Sequence, residues 1–445
     1  MLPRSTIMDT NSFQPGDAAT LDEKTRRLTD RRAVLGGAYR LFYRNPVHLV
    51  RGQGQYLWDA EGTKYLDVYN NVASIGHCHP AVVAAVHEQM QALNTHTRYL
   101  HERILDYSDA ILATMPTPIN RVMYMCTGSE ANDLAIRIAR AHTGGTGLIV
   151  TREAYHGTSA LTSGASPALG SAQPVDTTTW LVPAPDAYRV DTPDPGLWFA
   201  AQIQSCVDDM TAQGVKFSGF IADSIFSSDG VLPGSPGFMQ AAIQTVHRNG
   251  GVFIADEVQP GFARTGESFW GFGRHELVPD IVTTGKPMGN GMPVSGLMAK
   301  APVLASFSET TPYFNTFGGN PVSIAAAQAV LNVIQTENLQ EHSRSVGERL
   351  LSELRALQNK HHCIGNVRGA GLFIGLELVR NRQTKEPDRA LALDLIEALR
   401  DAHVLTSVAG PYGNVLKLRP PLAFQHHDID WLVGALDQCL SRLTG

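Results

Sequence analysis

The chain has no run of about 18 apolar residues, the length a bilayer span requires, and this excludes a membrane-spanning helix on sequence grounds. Its first ~30 residues lack the apolar core of a signal peptide, and the acids Asp9, Asp17, Asp22 and Glu23 among them argue against a transit peptide. A cytoplasmic protein is the expectation. Cysteine is sparse and odd in number: Cys78, Cys126, Cys206, Cys363 and Cys439 lie far apart, which disfavours a disulfide framework and suits a reducing compartment. No long basic block appears, and 36 Lys and Arg against 42 Asp and Glu leave a formal charge of −6, so neither nucleic acid nor an anionic membrane is expected as a partner. His77-Cys78-His79 lacks a second ligand pair at metal-binding spacing, and Pro80 with the Ala/Val run behind it reads as a helix start, so no metal is expected. Internal repeats and low-complexity linkers are also missing.

What is present is a chain of 445 residues, 43% hydrophobic and 18% charged, able to bury a large core in more than one domain. Between roughly 80 and 320, apolar runs at 122–126, 147–150, 217–222 and 252–255 alternate with helical stretches, which predicts an α/β fold with a mostly parallel sheet covered on both faces. Asn320-Pro321 caps a helical segment over 322–335, a strand pair follows over 364–379, and a last helix is expected from His427 to Leu443. The division expected is an N-terminal segment 1–75 packing on the small domain, a large cofactor-binding domain 76–325 and a smaller α+β domain 326–445. Residues 46–72 read as a hairpin turning at Ala60-Glu61-Gly62, and the Ser/Pro/Thr/Asp-rich segment 159–200 reads as a long loop by the pocket mouth.

Chemistry concentrates where the apolar runs end. Lys286 lies in a turn hedged by Gly285, Gly289 and Gly291, suited to an amine held still for Schiff-base formation. Asp256 closes the apolar run at 252–255, where an acid can hold a proton on a pyridine nitrogen. Thr127-Gly128-Ser129-Glu130 stands between an apolar run and a helical pattern, so free N–H groups and the positive helix end can hold a phosphate; the same residues also have ordinary capping-box spacing. Tyr155-His156-Gly157 adds a ring that could lie over a flat cofactor. Each motif alone has a bland reading, as loop lysine, turn acid, cap or packing. As a set they predict a pyridoxal phosphate site.

From about residue 45 to the C-terminus the chain resembles the class III aminotransferase family of pyridoxal phosphate enzymes, fold type I. The resemblance implies that Gly128 and Ser129 bind the cofactor phosphate, Tyr155 stacks on the ring with His156 beside it, and Asp256 meets the ring nitrogen. It also implies that Lys286 carries the covalent link, that Gln259 is close to the ring oxygen, and that Thr316 reaches the phosphate of the neighbouring subunit. A homodimer with shared sites, or a tetramer, follows.

Narrower likenesses lie in Asn70-Asn71 through His77-Cys78-His79, Leu93 to His101, Gly285-Lys-Pro-Met-Gly-Asn-Gly, Phe314-Asn-Thr-Phe-Gly-Gly-Asn-Pro and Val415-Leu-Lys-Leu-Arg-Pro-Pro. These are similar to the ethanolamine-phosphate phospholyase branch, which eliminates phosphate. The implied substrate is a small phosphorylated amine, with O-phosphoethanolamine yielding acetaldehyde, ammonia and phosphate; an ω-aminotransferase passing nitrogen to pyruvate or glyoxylate is the alternative. A third reading, a silent scaffold, is disfavoured by the intact Lys286, Asp256 and cradle. A phosphorylated substrate needs a second anion site, for which Arg419 ranks first and Arg98 and Arg44 follow. Asp223, where many relatives carry glutamate, and Phe226, near a usual glutamine, point to an altered pocket.

Overall fold

The apolar runs become strands of one sheet, those over 147–150, 217–222 and 252–255 buried on both faces, and the chemistry lies at their carboxyl ends. In the structure, a computed structural model describing residues 10–445, three strands come first: β1 (Leu49–Gln53), β2 (Tyr56–Asp59) and β3 (Lys64–Asp67). Asp9 lies outside the described residues. The chain then builds a seven-stranded sheet from β4 (Ile119–Met125), β5 (Gly147–Thr151), β6 (Thr179–Val182), β7 (Phe217–Ala222), β8 (Val252–Asp256), β9 (Ile281–Thr284) and β10 (Ser295–Lys300). Their spatial order is β4-β10-β9-β8-β7-β5-β6. All neighbours are parallel except β10, which runs antiparallel to both β4 and β9.

Every residue of β7 and β8 is buried. Alternation sorts them: Phe220 and Phe253 pack on one face with Phe199 and Ile203 of the helix Pro195–Ala212. Ile221 and Ile254 pack on the other with Leu134 and Ile138 of the helix Gly128–Thr143. Strands buried on both faces need such continuous apolar runs, which is why they were legible in sequence.

A second, antiparallel sheet is made by β11 (Ile364–Ala370) and β12 (Phe373–Asn381), with the two-residue β13 (Glu386–Pro387) on the edge of β12. After β14 (Val404–Leu405), strands β15 (Ser407–Ala409) and β16 (Val415–Leu418) complete it in the order β11-β12-β16-β15. β14 instead pairs in parallel with β3, joining the N-terminal strands to the C-terminal third of the chain. The helix expected after Asn320 spans Pro321–Thr336, with the Asn320 side chain accepting from Ser323 N, and the last helix spans His426–Thr444.

Two expectations are corrected. The 46–72 segment is a three-strand meander with a first turn at Gly54-Gln55 in addition to the turn at Ala60–Gly62. Segment 159–200 is not a continuous loop: β6 pairs beside β5, short helical turns occupy Ala160–Gly164 and Pro167–Leu169, and a helix begins at Pro195. β6 is a four-residue, half-buried edge strand, and so short a run among polar residues leaves little periodicity to read.

Asp428, wholly buried in the first turn of the last helix, ties the meander to the C-terminus by accepting from Gln55 Nε2 at 2.5 Å and Tyr56 OH at 2.5 Å. Asp428→Ala would strand those donors and is expected to lower stability by about 2–4 kcal/mol, measured as a shift in the urea midpoint with the slope unchanged.

Candidate active site

The ends of β4, β5, β7, β8 and β9 converge on one cavity of about 330 Å³ lined by, among others, Thr127, Ser129, Tyr155, Asp223, Asp256 and Lys286. At the end of β4 the capping box forms in full: Glu130 N donates to Thr127 Oγ1 at 3.2 Å and Thr127 N to Glu130 Oε2 at 2.9 Å. With Glu130 held back on the cap, Gly128 and Ser129 present the helix's first turn to the cavity. The turn is tight. A Cβ on Gly128 would stand 2.9 Å from Val258 Cγ2, and one on Gly157, whose φ is +139°, would stand 2.4 Å from Ser129 Oγ. Side chains are thus kept out of a cradle that backbone N–H groups can open toward an anion.

Asp256, 5% exposed at the end of β8, receives three donors: His156 Nδ1 at 2.7 Å and Asn132 Nδ2 at 2.9 Å on Oδ2, and Val258 N at 3.1 Å on Oδ1. Lys286 follows β9 in the glycine-hedged turn, where Gly285 approaches Gly128 so closely that a Cβ would meet its N at 3.1 Å. Burial lowers the Lys286 ammonium below the usual lysine range, and the Arg419 guanidinium adds to this, against the attraction of Asp256 and Asp223. A depressed lysine is what amine nucleophilicity near neutrality requires. Tyr155 lines the same cavity, its phenol pushed up first by burial and then by Asp256. Cradle, ring-sized space, acid and depressed amine fit a phosphorylated pyridine aldehyde on this structure's own terms.

A further group of charged residues at and beside the cavity was largely missed in sequence. Asp229 lines the cavity and accepts from Thr151 Oγ1 at 2.8 Å and Glu153 N at 3.2 Å. Asp223, raised by burial, accepts from Ile225 N and Ser227 N. Lys417, 3% exposed on β16, lies near both acids. Its ammonium is driven well below the usual lysine range by burial and then by Arg419. The available signal was period two: Lys417 and Arg419 fall on one face of the strand, each over the Phe373 ring, at 5.4 and 5.5 Å.

The remaining expected residues are placed as follows. Gln259 lines the cavity and accepts from the Arg419 guanidinium, which also donates to Tyr69 O at 2.9 and 3.1 Å. Arg419 is thereby held immediately behind the cavity wall. His156 lines the cavity with its Nδ1 turned to Asp256. Thr316 is exposed and outside this chain's own cavity. Two candidates are not brought there: Arg44 pairs with Asp394 at 2.8 Å on the surface, and the exposed Arg98 covers the Phe314 ring at 3.9 Å. A local sequence run cannot show which arginines the tertiary fold turns away. His77 bonds Asp67 at 2.7 Å and His79 caps the helix at Pro80.

The chain is similar to known proteins over most of its length. A model of the class III aminotransferases matches residues 42–440. An alanine–glyoxylate aminotransferase 2-like protein of Drosophila melanogaster is 40% identical, covering 94% of this chain and 88% of the relative. An ethanolamine-phosphate phospho-lyase homolog of Caenorhabditis elegans is 38% identical over 97% of each chain. Among solved structures, a phospholyase from Arthrobacter in complex with phosphoethanolamine superposes with a TM-score of 0.90 at 38% identity, covering 93% of this chain and 99% of that one.

Burial pushes the Asp229 carboxyl up to about 7, with Glu153 and Asp223 adding to it against the Thr151 bond. The folded protein therefore keeps a proton that the unfolded chain releases above about 4. This costs stability progressively as pH rises to about 7 and by a constant amount beyond. Asp229→Asn is expected to gain melting temperature relative to the parent across that window, measured by calorimetry at stepped pH; a pH-independent difference would contradict it.

Proposed function

The chain belongs to the class III aminotransferase family, with its fold and its cofactor, pyridoxal phosphate, and within that family we propose that it eliminates phosphate from a small phosphorylated amine, foremost O-phosphoethanolamine. Gly128 and Ser129 would hold the cofactor phosphate, Tyr155 would cover the ring, Gln259 would stand by the ring oxygen and Asp256 would hold the proton on the ring nitrogen. When bound, the cofactor supplies an electron sink for the carbon that bears the amine. Lys286, once displaced by the substrate amine, takes the proton from that carbon. With a phosphate ester on the next carbon, expulsion of phosphate outruns return of the proton, and hydrolysis yields acetaldehyde and ammonia. No keto acid enters.

The observation that carries this reading is a pair of basic side chains beside the cavity in addition to the Gly128–Ser129 cradle: Arg419, bonded to the cavity-lining Gln259, and Lys417, near the cavity-lining Asp223 and Asp229. Two anion-holding regions around one reacting amine suit a substrate that brings its own phosphate. Likeness to both phospholyases supports it. The same cations would also suit a keto acid carboxylate, and the Drosophila relative favours that second reading, an aminotransferase using pyruvate or glyoxylate. We also read the enzyme as a homodimer, because Thr316 is exposed beside Phe317, itself 69% exposed, while Tyr99 and Leu100 leave further apolar surface open.

Incubation with phosphoethanolamine and no acceptor should release phosphate and acetaldehyde in equal amounts; turnover only on addition of pyruvate or glyoxylate would establish the aminotransferase instead. Lys286→Ala should lose activity on the order of a thousandfold or more and leave no borohydride-trapped adduct at that position. Lys417→Met should raise KM for phosphoethanolamine by about tenfold with cofactor retained, and an unchanged KM would turn attention to Arg419. Thr316→Ala should weaken cofactor retention, although the residue lies outside its own chain's cavity.

A further inference from the structure

Asp256 Oδ2 takes two donors where Oδ1 takes one, and the two come from residues whose own orientations are determined. Asn132, 1% exposed, receives Thr283 Oγ1 on its Oδ1 at 2.6 Å. It spends its two amide hydrogens on Asp256 Oδ2 and on the His156 carbonyl, each at 2.9 Å. Turning the amide over would set its oxygen against two acceptors, so the network admits one orientation. His156, 4% exposed, is anchored through its backbone N–H to Ser166 Oγ at 2.8 Å, while its buried Nε2 has no partner. A proton on Nε2 would be a buried donor without an acceptor, so the ring proton belongs on Nδ1, aimed at Asp256.

Asn132 also stands one turn along the helix that begins with Gly128 and Ser129. One rigid element thus touches both anchor points of the cofactor, the phosphate cradle at its tip and the acid at the end of β8. We propose that Asn132 and His156 are positioning residues: together they hold Asp256 as an acceptor-only carboxylate for the ring nitrogen, and Asn132 fixes its separation from the phosphate cradle. This rests on the reading of Asp256 given above and is indifferent to whether the enzyme eliminates phosphate or transfers an amino group. His156 then acts through Asp256 and needs no direct contact with the cofactor.

The test uses the holoenzyme and two readouts besides turnover: the pH midpoint of its visible absorbance band, and the cofactor dissociation constant. Asn132→Asp is almost isosteric but replaces a donor by an acceptor against Asp256. It should raise the dissociation constant by about tenfold or more and move the midpoint by about one pH unit or more. His156→Phe should act in the same direction. His156→Asn, which returns an N–H near the position of Nδ1, should recover most of the loss. Asn132→Ser serves in place of the aspartate variant if that one does not fold. A packing role alone predicts lowered melting temperature with midpoint and affinity unchanged, and that result in Asn132→Asp and His156→Phe would overturn the proposal. Asp256→Asn separates the layers: if it alters the spectrum while the other variants do not, the clamp is wrong; if it too is silent, the role of Asp256 falls and the clamp with it.

Discussion

A carboxylate buried at the end of a parallel strand must be given donors, and around Asp256 that requirement recruits residues from four separate parts of the chain. Asn132 comes from the first helix of the large sheet, His156 from the turn after β5, Val258 from the acid's own turn and Thr283 from β9, whose hydroxyl sets the amide of Asn132. Leaving one of these donors or acceptors unmade in so dry a place would cost more than the bond itself is worth in water. The group is therefore satisfied as a whole, and it holds the ends of β5, β8 and β9 in one arrangement relative to the helix that carries the cradle.

Charge organises the cavity and its surroundings in the opposite manner. Lys286, Lys417 and Arg419 repel one another in low dielectric, and Asp223, Asp229 and Asp256 are spread among them. Each cation is depressed first by burial, and Asp229 is raised by it. Burial thus works against both signs of charge in the same space, and the groups of opposite sign offset part of its effect on one another. The second sheet is essential to this, since β16 brings Lys417 and Arg419 to the wall, and the β3–β14 pairing ties that part of the chain to the N-terminal meander.

The parts that were legible in the sequence were those governed by local rules. Strands β5, β7 and β8 were readable because burial on both faces demands unbroken apolar runs, β4 from its apolar stretch over 122–126 although it is only partly buried, and the helix ends at Thr127 and Asn320 because capping uses a few residue types at fixed spacing. Lys286, Asp256 and the Gly128–Ser129 turn stood out for the same reason, each at the end of such a run. β6 was not readable, being short and half exposed, nor was the first turn of the meander at Gly54-Gln55.

Sequence by itself determined the alternation of elements and the positions of the cofactor-type residues at strand ends, because periodicity, capping and glycine spacing act over a few residues, while the family was legible through the resemblance of its motifs. Only the tertiary structure decided which charges share the cavity. It turned Arg44 toward Asp394 and Arg98 over Phe314, held Arg419 against Tyr69 and Gln259, and brought Lys417, Asp223 and Asp229 together from segments as much as 194 residues apart in the numbering of Asp223 and Lys417. Coulomb forces and desolvation depend on distance through space, and no spacing along the chain encodes that distance until the two sheets have closed on each other.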